Sequence, residues 1–255
     1  MTNKNNSECF DAYSYYYDLL YADKDYEAEV DYIEFLLKKN NILSGSILEL
    51  GSGTGRHANL LSTKNYALTG IERSQEMINQ AQKIQSCEFL CGDITTLKLD
   101  REFDAVISMF HVISYITSNE DLASLFKHTH SHLRAGGLFV FDVWYSPSVA
   151  FHRPQVRVKK MENGEVEITR IAEPRILDNE NLVEVNYTIF SKNKNTGLTT
   201  YFKEIHPMRH FSTPEISLLA KIYGFELIKS EEFLTGNAPS KDTWGVCYVL
   251  KKMAR

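Results

Sequence analysis

From Asp25 to Lys39 the apolar residues Tyr26, Val30, Ile33 and Leu37 recur at helical spacing, and Asn40-Asn41 followed by Ser44-Gly45-Ser46 punctuate the end. The first 40 residues therefore read as a helical cover. Beyond it the chain alternates. Short apolar runs at 47–50, 66–71, 88–91, 103–108 and 138–143 read as strands. Helices fall between them, running to about Thr63, from about Ser74 to Lys83, and from about Asn119 to Leu133 with a stop at Gly136-Gly137. Strands alternating with helices imply an α/β fold with a parallel, doubly wound sheet. From about 146 to 209 the helical period vanishes. β-type segments at 156–158, 166–171, 182–190 and 199–205, with turns at Asn163-Gly164 and Asn195-Thr196-Gly197, predict an antiparallel sheet with one wet face. A helix over 213–223 and strands at 225–228 and 245–250 close the chain. Residues 1–145 with 210–255 are thus expected to form the main domain, and 146–209 a β-rich insertion.

Composition narrows the function classes. The chain has 255 residues, is 43% hydrophobic and 24% charged, and carries a net charge of −5, values that suit a globular protein and disfavour a polyanionic partner. Lys38-Lys39 and Lys159-Lys160 are isolated pairs, so nucleic acid is not expected. The polar start, Met1 to Ser7, has no apolar core, and no run approaches the roughly 20 apolar residues of a membrane span. A cytoplasmic location without membrane partners is the expectation. Cys9, Cys87, Cys91 and Cys247 are scattered, which fits reduced thiols and neither a disulfide framework nor a metal site. His128, His130 and His132 alternate, but only the first and last share a helix face; a polar helix surface is expected there, and no metal.

Glu49-Leu50-Gly51-Ser52-Gly53-Thr54-Gly55 joins the first strand to its helix. Glycines let backbone pass close to a ligand, and a helix start offers unpaired N–H groups, which together make a generic nucleotide-binding device. A dinucleotide enzyme shares it, with an acid about twenty residues on, and Glu72 suits ribose hydroxyls under either reading. Three features separate the two. Glu49 suits a ligand bearing ammonium and sulfonium charge and would repel a pyrophosphate. Cys91-Gly92-Asp93-Ile94 places an acid where it can accept from an adenine amine, with Ile94 against the ring. The chain then closes with a helix and two strands, not another βαβ unit.

This combination resembles the class I S-adenosylmethionine-dependent methyltransferases over roughly 47–143 plus the C-terminal strands. The resemblance implies a Rossmann-like seven-stranded sheet, five parallel strands plus a C-terminal pair, with the inserted β block as a lid. It implies S-adenosylmethionine as cofactor, with Gly51, Ser52, Gly53 and Gly55 around the methionine moiety, Glu72 on the ribose, Asp93 and Ile94 at the adenine, and Met109 along the methionine chain. Tyr17, within the aromatic patch Tyr13 to Tyr17, is the expected cover. Alternatives stand beside these roles: Glu49 as a cap for backbone amides, Asp93 as a turn residue, Met109 as core, and Arg73 as either an adenine neighbour or solvated surface.

The acceptor is less constrained. Methyl transfer needs an in-line lone pair and exclusion of water, and an amine must arrive neutral or lose a proton locally. Tyr17-Asp18-Leu19-Leu20-Tyr21 with Lys24 to Glu29, Ser108-Met109-Phe110 with Tyr115, Trp144-Tyr145-Ser146-Pro147, and Glu204-Ile205-His206 are similar to bacterial N,N-dimethyltransferases of nucleotide-linked amino sugars. That resemblance implies a nucleotide-linked sugar as partner and a homodimer. It puts Tyr26, Glu29, Trp144 and His206 at the substrate, with Glu29 orienting the amine and Tyr115 at the mouth beside the methyl group. Ordinary readings are a solvated helix face for Glu29, a core aromatic for Tyr115 and a satisfied lid residue for His206. His111 departs from the relatives' small residue, and reads either as an active-site base or as part of the sheet–helix interface. It leaves a sugar hydroxyl or a small amine such as glycine open as acceptors. Arg153, Arg157, Arg170, Arg175 and Arg209 lie in or beside the insertion, and alternation does not say which point inward.

Overall fold

The computed structural model describes residues 19–253; Tyr17 and the rest of the N-terminal aromatic patch lie outside them. Asp25 caps helix α1 (Tyr26–Lys39) by accepting the Ala28 N–H at 2.9 Å, and acids in the first turn with Lys38 and Lys39 in the last match the helix dipole. The chain continues through β1 (Gly45–Leu50), α2 (Arg56–Ser62), β2 (Tyr66–Glu72), α3 (Gln75–Ala81), β3 (Glu88–Cys91), β4 (Phe103–Ser108), a 3-10 turn at Val112–Tyr115, α4 (Asn119–Ser131) and β5 (Leu133–Tyr145). Next come α5 (Ser146–His152), β6 (Arg157–Glu162), β7 (Val166–Leu177), β8 (Leu182–Asn193), β9 (Thr199–Phe211), α6 (Thr213–Ile222), β10 (Phe225–Glu232) and β11 (Gly245–Lys252).

Strands β3-β2-β1-β4-β5 run parallel in that spatial order, and β11 then β10 extend the sheet antiparallel beyond β5. This is the expected seven-stranded arrangement. Period-two alternation distributes side chains to two cores. On one face Phe139, Phe141, Val143 and Tyr248 meet Leu122, Phe126 and Ile216 of α4 and α6; on the other Leu138, Val140 and Val249 meet Val30, Ile33, Leu37 and Leu61 of α1 and α2. Phe126 packs edge-on to Phe139, Phe141 and Phe225 at centroid distances of 5.9, 6.2 and 6.3 Å, each contact worth about 1 kcal/mol beyond the area it buries.

Three local expectations need correction. The helix expected to reach Leu133 ends at Ser131, and Leu133 already pairs with Phe103 across a register shift. A short helix, α5, opens the segment expected to be free of helix; Pro147 in its first turn costs nothing because that N–H has no helical partner. Finally, β9 runs through Arg209 to Phe211, and pairs Trp144 with His210 and Tyr145 with Phe211 in parallel, so the antiparallel meander β6-β7-β8-β9 is continuous with the main sheet.

The meander's polarity is also unusual. Along β9 the buried positions are Glu204, His206, Met208, His210 and Phe211, whereas Tyr201 and Ile205 are 66% and 55% exposed. At the C-cap of α4, His132 is buried and its Nε2 accepts the Leu99 N–H at 2.8 Å, while His130 in the last turn packs edge-on against Phe225; these two serve the fold and are not the polar surface expected. Cys87, Cys91 and Cys247 are free thiols. Among the described residues no helix is long and apolar enough to cross a membrane.

Candidate active site

A cavity of about 460 Å³ opens at the carboxyl ends of the parallel strands, where the order reverses between β1 and β4. Its floor is the glycine turn. Gly51 sits at φ +72°, and a Cβ there would lie 2.5 Å from Val112 Cγ1, so only glycine lets the turn pass beneath the residues after β4. At Gly53 an added Cβ would reach only Met77 Sδ, at 3.9 Å, because that residue borders open space. Glu72 holds the turn: Oε2 accepts the Gly53 N–H at 3.1 Å, and Oε1 accepts from the amides of Arg73 and Ser74 at 2.8 and 2.9 Å. Asp93 closes its own turn with Oδ1, which accepts the Thr95 N–H and hydroxyl at 2.8 and 2.7 Å, while Oδ2 has no partner among the described residues.

Of the residues expected at the cofactor, Gly51, Ser52, Gly53, Glu72, Arg73, Asp93, Ile94 and Met109 line this cavity. Gly55 and Glu49 do not. Gly55 faces Phe89, and Glu49 lies buried behind the turn with Oε1 3.5 Å from His57 Nδ1 and Oε2 without a partner among the described residues. An unpaired buried carboxylate oxygen is costly, and it suits a cation arriving above the turn. The glycine cradle, Asp93 Oδ2 and the Glu49 charge thus fit S-adenosylmethionine on three separate counts.

On the acceptor side, Tyr26, His111, Tyr115 and Trp144 line the cavity, joined by Tyr187 and Met208 from the meander. Two expected substrate contacts do not line it. Glu29 is buried, not a solvated face, and its Oε2 takes Lys24 Nζ at 2.5 Å and His57 Nε2 at 2.7 Å, so that oxygen is engaged inside the protein. His206 is 1% exposed and lies behind Tyr115: its Nδ1 is 2.9 Å from the Tyr115 hydroxyl and its Nε2 is 3.0 Å from Glu204 Oε2. It meets the cavity wall through Tyr115 and through Tyr187, whose ring centre lies 4.7 Å from its own.

The buried chain Lys24–Glu29–His57–Glu49 is the main electrostatic feature beneath the site. Burial opposes charge on His57, but Glu29 and Glu49 outweigh it and hold its pKa above the ordinary imidazole value. Lys24 Nζ lies 4.2 Å from the ring centres of both Tyr26 and Phe110. Sequence reasoning missed His57, Lys24, Tyr187, Met208 and Asp142. Asp142 had a usable signal: it is a lone acid inside the apolar strand 138–143, and such an acid must find a partner.

Comparison with known proteins agrees with this geometry. A family described as "Methyltransferase domain" matches residues 47–137. A dTDP-3-amino-3,4,6-trideoxy-alpha-D-glucopyranose N,N-dimethyltransferase from Streptomyces venezuelae is 27% identical over 202 residues, covering 78% of this chain and 84% of the relative. A dTDP-3-amino-3,6-dideoxy-alpha-D-glucopyranose N,N-dimethyltransferase from Streptomyces fradiae is 25% identical, covering 86% and 84%. The crystal structure of an S-adenosylmethionine-dependent methyltransferase from Clostridium acetobutylicum superposes with a TM-score of 0.81 at 24% identity, covering 96% of this chain and 100% of that one. With the cradle, the strand order and the matched domain in agreement, the chain is a class I S-adenosylmethionine-dependent methyltransferase.

Proposed function

We propose that the enzyme N-methylates the amine of a nucleotide-linked amino sugar. The observation that carries this reading is the continuity of one cavity from the glycine turn to the inner face of the meander, with Tyr115, Trp144 and Tyr187 as aromatic walls beyond the cofactor region. The names of both relatives describe dimethylation of dTDP-linked amino sugars, which supports the same substrate class. A carboxylate acceptor such as glycine fits less well. Of the arginines in and beside the meander, Arg153, Arg175 and Arg209 pair with Asp178, Glu184 and Glu215, and Arg157 is exposed. Arg170 packs against the rings of Tyr21 and Tyr187 and donates to the Tyr21 hydroxyl at 3.2 Å.

When bound, S-adenosylmethionine supplies an electrophilic methyl on sulfonium. The protein's contribution is placement. Glu72 takes the ribose hydroxyls with the lone pairs left over from the backbone amides, Asp93 Oδ2 takes the adenine amine, and Glu49 favours the positive methionine end from behind the turn. Tyr115, braced by His206 and Glu204, fixes the acceptor beside the transferring methyl. An Asp93→Asn variant keeps the turn acceptor but can present an amide where adenine donates. It is expected to bind cofactor about 10-fold more weakly, the worth of one charge-assisted hydrogen bond; unchanged affinity by calorimetry would remove Asp93 from the adenine.

Incubation with S-adenosylmethionine and a panel of dTDP-linked 3-amino and 4-amino deoxysugars, glycine, sarcosine and a non-amino dTDP-sugar tests the reading by mass spectrometry. Products heavier by one and then two methylene units are expected with an amino sugar. Transfer to glycine or sarcosine alone would overturn it.

A further inference from the structure

Asp142 follows Leu138 and Val140 on the face of β5 that packs against α1 and α2, yet it is a carboxylate and only 1% exposed. Both its oxygens meet one residue. Oδ1 accepts the His111 main-chain N–H at 3.1 Å, and Oδ2 lies 2.6 Å from His111 Nδ1, a contact that is short but off the ideal N–H line. Burial pushes the Asp142 pKa up, but His111, through charge and hydrogen bonds, and Lys24 more than offset this and hold the carboxyl below its usual range. The acid is therefore ionised and committed to this histidine.

The backbone around His111 is correspondingly unusual. Phe110 and His111 both adopt left-handed torsions, φ +64° and +60°, a conformation that is strained for a non-glycine residue and persists where surroundings enforce it. Room for the ring is kept by Gly245, whose added Cβ would stand 3.2 Å from His111 Cε1. The turn brings the imidazole to the cavity wall, next to Val112, which overlies Gly51. A carboxylate at Nδ1 places the imidazole proton there and leaves the Nε2 lone pair available. Nε2 has no hydrogen-bond partner among the described residues.

We propose that His111 and Asp142 form a proton-accepting dyad, in which His111 Nε2 takes the proton that an ammonium acceptor must shed before methylation and Asp142 is the positioning residue that fixes the tautomer. The inference rests on the N-methylation reading above. The N–H bond of the ammonium breaks and its electron pair stays on nitrogen, while the proton forms imidazolium beside the Asp142 carboxylate. The acceptor nitrogen then forms the new N–C bond as the C–S bond breaks, its pair leaving on sulfur, and the imidazolium returns its proton to solvent.

Full-length His111→Gln and Asp142→Asn are the test variants, with kcat and KM measured across pH on two acceptors, an ordinary amino sugar and a weakly basic analogue already neutral at assay pH. For His111→Gln a fall of about 100-fold in kcat on the ordinary amine is expected, at the low end for a lost general base. KM should move little, and the loss should shrink as pH rises or when the weakly basic amine is used. Histidine ¹⁵N spectra supply a readout without turnover: the wild type should show His111 with Nε2 unprotonated, and Asp142→Asn, whose amide donates to Nδ1, should move the proton to Nε2. A loss independent of pH and of acceptor basicity, or a wild-type His111 protonated on Nε2, would overturn the dyad. A wild type that methylates only hydroxyl acceptors would sink the amine reading instead, and leave the dyad to be decided by the spectra.

Discussion

A Gly51→Val variant is expected to bind S-adenosylmethionine at least ~1000-fold more weakly than the wild type, a loss of about 4 kcal/mol. Two penalties combine. A β-branched residue at φ +72° is strained by itself. Its Cβ would also fall 2.5 and 2.7 Å from the two Val112 methyls. The turn has no slack to absorb this, because the Gly51 and Ser52 amides both donate to Ile71 O, at 2.8 and 3.0 Å. Relief must come from Val112, and that displaces the His111 turn as well. Gly197→Val is the control: it shares the left-handed torsion, φ +71°, but nothing lies within 4 Å of its added Cβ. Calorimetric titration of both variants checks the prediction, and cofactor affinity for Gly51→Val within 10-fold of wild type would contradict it.

The second large effect falls on stability. Glu29→Ala removes the shared acceptor of Lys24 and His57 and leaves two buried cationic groups short of a partner. Breaking a buried pair from one side costs about 3–5 kcal/mol, which for a chain of this size lowers Tm by roughly 10 °C. The effect has a pH signature. Because His57 is held above its ordinary value when folded, its protonated form adds stability that is fully present below the unfolded imidazole pKa and is lost as pH climbs through the raised folded value. The gap between wild type and Glu29→Ala should therefore be widest near pH 6 and narrow toward about pH 9. Thermal melts at several pH values decide it, and parallel curves would mean that His57 is neutral in the fold.

These buried groups also mark where sequence stops being legible. The alternation of strands and helices, the glycine turn, and acids at the ends of β2 and β3 are local signals, set by period, turn chemistry and position after a strand. Most of the residues they single out line the cavity. The acceptor side depends on partners distant in the chain: Glu29 meets His57 28 residues on, Asp142 meets His111 across 31, and Tyr115 meets His206 across 91. No window of sequence carries those pairings. Hydropathy points the wrong way in the middle of β9, where Ile205 is exposed and Glu204 and His206 are buried, because His206 and Glu204 brace Tyr115 beside the apolar cluster of Val183, Val185 and Met208. The short helix α5 escaped because seven residues starting Ser-Pro give too little periodicity to outweigh the β-rich stretch that follows.

Among the described residues, two strand pairs join the meander to the main sheet, Trp144 with His210 and Tyr145 with Phe211. So short a seam is a natural recombination joint. A segment exchanged between Tyr145 and Phe211 carries its own strand pairings with it and leaves the cofactor cradle untouched. Such an exchange would replace Tyr187 and Met208 in the acceptor wall while Tyr26, His111, Tyr115 and Trp144 stay with the main domain, so the joint divides the acceptor site between two inherited pieces.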